Sequence, residues 1–205
     1  MQNAPTIERT PKVMLRPTPI EPGQFSKELQ GMLERSNVRL EEIPNFLRIL
    51  AKAPAAALAY MRIDRTLAAG QLAERQREQI ALAVAEINGS NYCLRAHSVI
   101  GANTGLSDEE IQSARRASAP DAKTNQILRF TQSVVMQRGD VSDEDLRALR
   151  KAGISDAEVV EILANIALNI FTNYLNILSQ TEVDFPMVDR APANASVSAP
   201  AQAAA

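Results

Sequence analysis

The chain has 205 residues, 45% of them hydrophobic, with 22 basic and 24 acidic side chains and a formal net charge of -2. That balance argues against nucleic acid or an anionic membrane surface as a principal partner. A single cysteine excludes an intramolecular disulfide framework and fits a reducing, cytoplasmic compartment, and the length fits one domain with tails.

Residues 1–23 carry Pro5, Pro11, Pro17, Pro19 and Pro22, a spacing that forbids a continuous helix and predicts an extended arm. No apolar h-region precedes them, so no secretory signal is expected. Residues 24–190 read as helical almost throughout. Ile80, Ala83, Val84 and Ile87 follow i, i+3, i+4, i+7. Asn88-Gly89 reads as a turn and Ser90 as the N-cap of the next helix. Gly105 and Gly153 read as helix stops. Ser107-x-x-Glu110, Ser142-x-x-Asp145 and Ser155-x-x-Glu158 read as capping boxes. From Ser155 to about Gln180 two apolar stripes run side by side. One holds Val159, Leu163, Ile166, Ile170, Tyr174 and Ile177; the other holds Val160, Ala167, Phe171, Leu175 and Leu178. Such a helix is expected to be buried on two sides, by its own core and at a subunit contact. Asn165, Asn169, Asn173 and Asn176 form a polar row beside them, expected to serve packing or a pocket. Residues 191–205 are Ala, Pro and Ser with few large apolar side chains, and read as a disordered tail. Alternating β-branched runs are absent, so no sheet is expected. No apolar run approaches the length that spans a bilayer.

The chemistry concentrates between Glu86 and His97, a stretch that holds the only cysteine and the only histidine. Cys93 falls in the first turn of the helix opened by Ser90, where unpaired backbone N–H groups favour a thiolate. His97, four residues on, shares that face. Glu78, on the preceding helix, can orient His97 or take its proton onward. Spacing alone leaves this reading behind the ordinary one, a small buried thiol, a satisfied histidine and one carboxylate of a solvated face. A metal site built from Glu78, Cys93 and His97 is disfavoured, since one histidine is a poor start for zinc, and no cofactor is expected.

Taken together the residues resemble a known family. Glu78, then Cys93 and His97 within Asn88-Gly89-x-x-Tyr92-Cys93-x-x-x-His97, look like the AhpD core of the carboxymuconolactone decarboxylase superfamily, and more closely its uncharacterised peroxidase-related branch. Three further stretches carry the likeness: Ile43-Pro44-Asn45-Phe46; Arg77-Glu78-x-x-Ala81-Leu82-Ala83-Val84-Ala85-Glu86; and Ala167-Leu168-Asn169-x-x-Thr172-Asn173-Tyr174-Leu175-Asn176, leading into Asp184-Phe185-Pro186. It runs from about Phe25 to Pro186. The resemblance implies an all-α AhpD-like helical domain assembled as homotrimers or homohexamers. It implies hydroperoxide reduction by a Cys-x-x-Cys pair whose second cysteine, here Cys93, lies beside a relay of Glu78 and His97, with an external thiol or dithiol as reductant. Glu86, Tyr92, Asn169 and Asn173 are the further pocket candidates. The departure is Ser90, which stands where the first cysteine belongs. Serine cannot form a disulfide, though as an N-cap it would stabilise the helix by about 1 kcal/mol. Three outcomes follow: a one-cysteine peroxidase passing through sulfenic acid; lyase or isomerase chemistry on a small carboxylate with Glu78 and His97 as acid and base; or a non-catalytic oligomeric binding protein.

Overall fold

The structure is a computed structural model that describes residues 16–35 and 42–185. Residues 1–15 of the expected arm and the whole expected tail, 191–205, lie outside the described residues. Within them, a 3-10 turn at Pro22–Gln24 overlaps the end of that arm. The helices follow as α1 (Lys27–Arg35), α2 (Asn45–Leu50), α3 (Pro54–Ala68), α4 (Glu74–Asn88), α5 (Asn91–Asn103), α6 (Asp108–Arg115), α7 (Ala122–Gln137), α8 (Asp143–Lys151) and α9 (Asp156–Ser179). No strand occurs among the described residues.

α4 is the hub because its middle has no polar face to offer solvent. Gln79 through Ala85 are all buried, and a helix apolar nearly all round must be enclosed. α5, α6, α7 and α9 pack around it. On the α6–α8 side, Leu82 and Val84 join Ile111, Ile127, Leu128, Leu149 and Ile162 in the main core. A second core gathers Phe25, Leu29, Leu33, Leu47, Leu50 and Ala57 from the α1–α3 layer. A small third cluster, Ala85, Tyr92 and Cys93, is covered by Phe46, Leu94, Val183 and Phe185.

Helix ends obey local chemistry. The three expected boxes form, with Ser107, Ser142 and Ser155 each accepting from the backbone N–H three residues on. Gly89 ends α4 at φ +70°, a left-handed conformation that favours glycine. Gly101 lets α5 lie close, since a Cβ there would meet Leu106 Cδ1 at 3.0 Å and Glu78 Cβ at 3.9 Å.

The buried face of α9 carries Ile162, Ile166 and the asparagine row, Asn165, Asn169, Asn173 and Asn176. Val159 and Ile170 of the first apolar stripe pack on the main core with Ile166, and the outer parts of both stripes turn outward, leaving Val160 at 66% and Leu178 at 58% exposure. Two expectations need correction. First, α9 does have the length and apolarity of a membrane span, with a mean hydropathy of 1.3. Its asparagines, however, are buried on the side that packs against the central helix α4. Second, Ser90 occupies the N-cap of α5, but its side chain makes no capping hydrogen bond. Its hydroxyl is buried without a partner.

Candidate active site

α4 and α5 lie side by side across the Gly89 turn, which brings Glu78 to His97. Glu78 Oε2 lies 2.8 Å from His97 Nδ1, with both side chains largely withdrawn from solvent. An ionised carboxylate only accepts, so Nδ1 carries the proton and Nε2 is left to exchange one with a reactant. One turn earlier on α5, Cys93 is 3% exposed. Its Sγ accepts a hydrogen bond from Asn176 Nδ2 at 3.3 Å. The α9 row therefore reaches the thiol.

The Glu78–His97 pair opens on a cavity of about 60 Å³ that Tyr60, Asp64, Arg77, Asn165, Asn169 and Thr172 help to line. The Tyr60 phenol is pushed up from its ordinary value, first by burial and then by the charges of Asp64, Cys93 and Glu78. It therefore stays protonated and can donate. The Asp64 carboxyl is also pushed up, first by burial and then by repulsion from Glu78. The side chain still touches solvent, which weakens the burial contribution, and Glu78 repels it across the shared cavity.

A larger cavity of about 360 Å³ lies at the N-terminus of α5, lined by Ser90, Tyr92 and Asn176 among others. The structure thus distributes the expected pocket residues. Asn169 lines the smaller cavity and Tyr92 the larger. Asn173 is fully buried and accepts from Asn88 Nδ2 at 3.0 Å. Glu86 lines neither cavity and instead takes Arg115 Nε at 2.6 Å. Sequence reasoning missed Tyr60, Asp64 and Arg77. The i, i+4 spacing of Tyr60 and Asp64 on one helix was the available signal.

Residues 54–134, from the start of α3 into α7, match the family model described as the Carboxymuconolactone decarboxylase family. That match spans 81 of the chain's 205 residues. Glu78, Cys93 and His97 lie inside the matched residues, whereas Asn176 lies outside them. Solved structures of similar fold include an uncharacterized peroxidase-related protein from Silicibacter sp. TM1040. It is 23% identical, covers 85% of this chain and 94% of its own, and has a TM-score of 0.70. An uncharacterized peroxidase-related protein from Ralstonia eutropha JMP134, an alkylhydroperoxidase AhpD core, is 20% identical over 82% and 90%, at 0.68. The debrominase Bmp8 in complex with 2,3,4-tribromopyrrole is 19% identical over 82% and 91%, at 0.67. At these identities the likeness is one of fold. No curated protein matches the chain.

Proposed function

We propose that this protein is a member of the AhpD/carboxymuconolactone decarboxylase superfamily and an antioxidant oxidoreductase that reduces hydroperoxides through one reactive cysteine, Cys93. The observation that carries the reading is the 2.8 Å contact of Glu78 and His97 one helical turn from a buried thiol. His97 Nε2 takes the thiol proton. The sulfur attacks the terminal oxygen of ROOH, the O–O bond breaks, and the leaving alkoxide takes the proton back from the imidazolium. The products are ROH and a Cys93 sulfenic acid. An external thiol displaces water from that sulfur to give a mixed disulfide. A second thiol then releases Cys93 and carries away the disulfide. Ser90 offers no thiol for this step, so both reducing equivalents come from outside.

The test is stoichiometry. One equivalent of an organic hydroperoxide should convert Cys93 to a trappable sulfenic acid, and a thiol should restore it. His97→Ala should slow that oxidation about 10²- to 10⁴-fold, the usual share of a positioned acid–base group. Ser90→Cys should place a second thiol one turn away and raise dithiol-driven turnover. Failure of hydroperoxide to consume Cys93 would overturn the reading. A second reading, lyase or isomerase chemistry on a small carboxylate, is favoured by Arg77, which lines the same cavity as Glu78 and His97. Activity that survives Cys93→Ser would select it.

We also propose a homotrimer or homohexamer acting on small molecules in the cytoplasm. The outward face of α9 presents Val160, Leu163, Phe171, Tyr174, Ile177 and Leu178, all exposed, an apolar face that a second copy would cover. Leu178→Arg should lower the mass measured by light scattering, and a monomeric wild type would refute the assembly.

A further inference from the structure

We infer that Asp184 is a specificity-determining latch, which ties residues 181–185 across the Cys93 thiol and so sets which reactants reach the sulfur. Asp184 and Phe185 belong to the Asp184-Phe185-Pro186 stretch singled out in the sequence, and the reaction above makes no use of residues 181–185.

The strap begins at the thiol. α9 ends at Gln180 in a left-handed conformation, φ 50°, and Thr181 N–H returns to Asn176 O at 3.1 Å. Asn176 is the residue that donates to Cys93 Sγ. The chain then crosses the thiol's small cluster, where Val183 and Phe185 pack on Ala85, Tyr92 and Cys93. Phe185 meets the Tyr92 ring edge-on, with centroids 5.6 Å apart.

One carboxylate fastens this segment to two elements. Tyr92 Oη donates to Asp184 Oδ1 at 2.8 Å, and Asn45 N–H donates to Asp184 Oδ2 at 2.7 Å. Asn45 Nδ2 adds a bond to Glu182 O at 3.1 Å. The Asn45 amide needs an outside acceptor because it opens α2, where the first backbone N–H groups have no intrahelical partner. Tyr92 needs one because its hydroxyl is buried. Burial first and the Asp184 bond second hold it protonated. Tyr92 lies next to Cys93 in the first turn of α5, so the latch ties down the turn that carries the thiol.

Beside the strap, the 360 Å³ cavity is lined by Thr181 and Val183 on one side and by Ser90, Tyr92 and Asn176 on the other. Cys93 itself does not line it. Displacing the strap removes Val183 and Phe185 from the thiol's cover and extends this cavity toward the sulfur. A small reactant needs a slight opening, and a bulky one needs the latch released.

The experiment uses the full chain and does not depend on peroxidase activity. Cys93 alkylation is followed with iodoacetamide and with a pyrene maleimide. For Asp184→Ala the maleimide-to-iodoacetamide rate ratio should rise roughly tenfold or more, the scale set by losing two charge-assisted bonds. Asp184→Asn retains one acceptor and should fall between. Tyr92→Phe should also fall between, and adding it to Asp184→Ala should change the ratio little. An unchanged ratio in Asp184→Asn and Tyr92→Phe overturns the inference. So does a rise of both rates in the same proportion, which global loosening would give.

Discussion

α4 is enclosed by two kinds of surface. Toward α6 and α7 its buried middle joins Ile111, Ile127, Leu128 and Leu149 in an apolar core, with polar bonds nearer its two ends, at Arg75–Glu110, Gln76–Thr124 and Glu86–Arg115. Toward α5 and the C-terminal half of α9 it meets Ser90, Asn169, Thr172, Asn173 and Asn176, all buried. The first surface does what burial ordinarily does. The second leaves Ser90 Oγ, Asn173 Nδ2 and Asn176 Oδ1 without hydrogen-bond partners, an arrangement that costs stability. Sites that break the packing rules while their surroundings obey them are where function is expected. The broken rules here converge on the single thiol.

The largest expected effect comes from exchanging the two surfaces' logic. Leu82 is fully buried in the apolar contact, and Leu82→Ala should cost about 2–5 kcal/mol in urea unfolding. Asn176→Leu should shift stability by less than about 1 kcal/mol, because it removes an unpaired polar atom along with a hydrogen bond. It should nonetheless slow Cys93 alkylation, since the donor to Sγ is gone. Comparable stability losses from the two variants would erase the distinction between the surfaces.

Two carboxylates sharpen the comparison through pH. Glu158, in the capping box that opens α9, is held below its ordinary range, first by Lys123 and then by the Ser155 backbone. Its folded value is depressed, so the unfolded chain binds the proton more readily. Glu158 therefore contributes stability above its unfolded value near about 4.3, lost as pH falls through the folded one. Asp64, in the site cavity, is raised. There the folded chain binds the proton more readily, and stability falls as pH rises from about 3.9 through the folded value. Glu158→Gln should therefore destabilise at pH 7 and become nearly neutral in acid. Asp64→Asn should stabilise at pH 7 and lose that gain in acid. Thermal melts across pH 3 to 7 separate the two, and the same sign for both variants at pH 7 would contradict the assignment.

The sequence made the capping boxes legible because each is a contact over three residues, written in the local order. It made the Glu78, Cys93 and His97 set legible because those residue types are rare in the chain or recur in the family pattern. It marked the two apolar stripes and the asparagine row of α9, but not which of them face the core within one chain. That depends on α4 and α5, which supply partners to Asn173 and Asn176 across the contact. Nor did it reveal Tyr60, Asp64 or Asp184. α3 reaches the cavity only through the tertiary fold, and Asp184 meets Asn45 from 139 residues away.

The smallest and most diagnostic contrast uses one residue type in two places. Ser155 and Ser90 both stand at N-caps. Ser155 Oγ accepts from Glu158 N–H at 3.2 Å, and Glu158 Oε2 accepts from Ser155 N–H at 2.8 Å. Removing that hydroxyl with Ser155→Ala should cost about 1 kcal/mol. Ser90 Oγ makes no such bond and is buried without a partner. Ser90→Ala should therefore leave stability within about 0.5 kcal/mol of wild type or raise it, since it deletes a desolvated polar atom rather than a made hydrogen bond. Urea midpoints at constant m measure both. If Ser90→Ala costs as much as Ser155→Ala, the hydroxyl caps α5 in solution, and serine at that position is explained by helix stability alone. If it costs nothing, serine there contributes nothing to the helix. The reason for a hydroxyl must then be sought in what approaches the thiol one turn away.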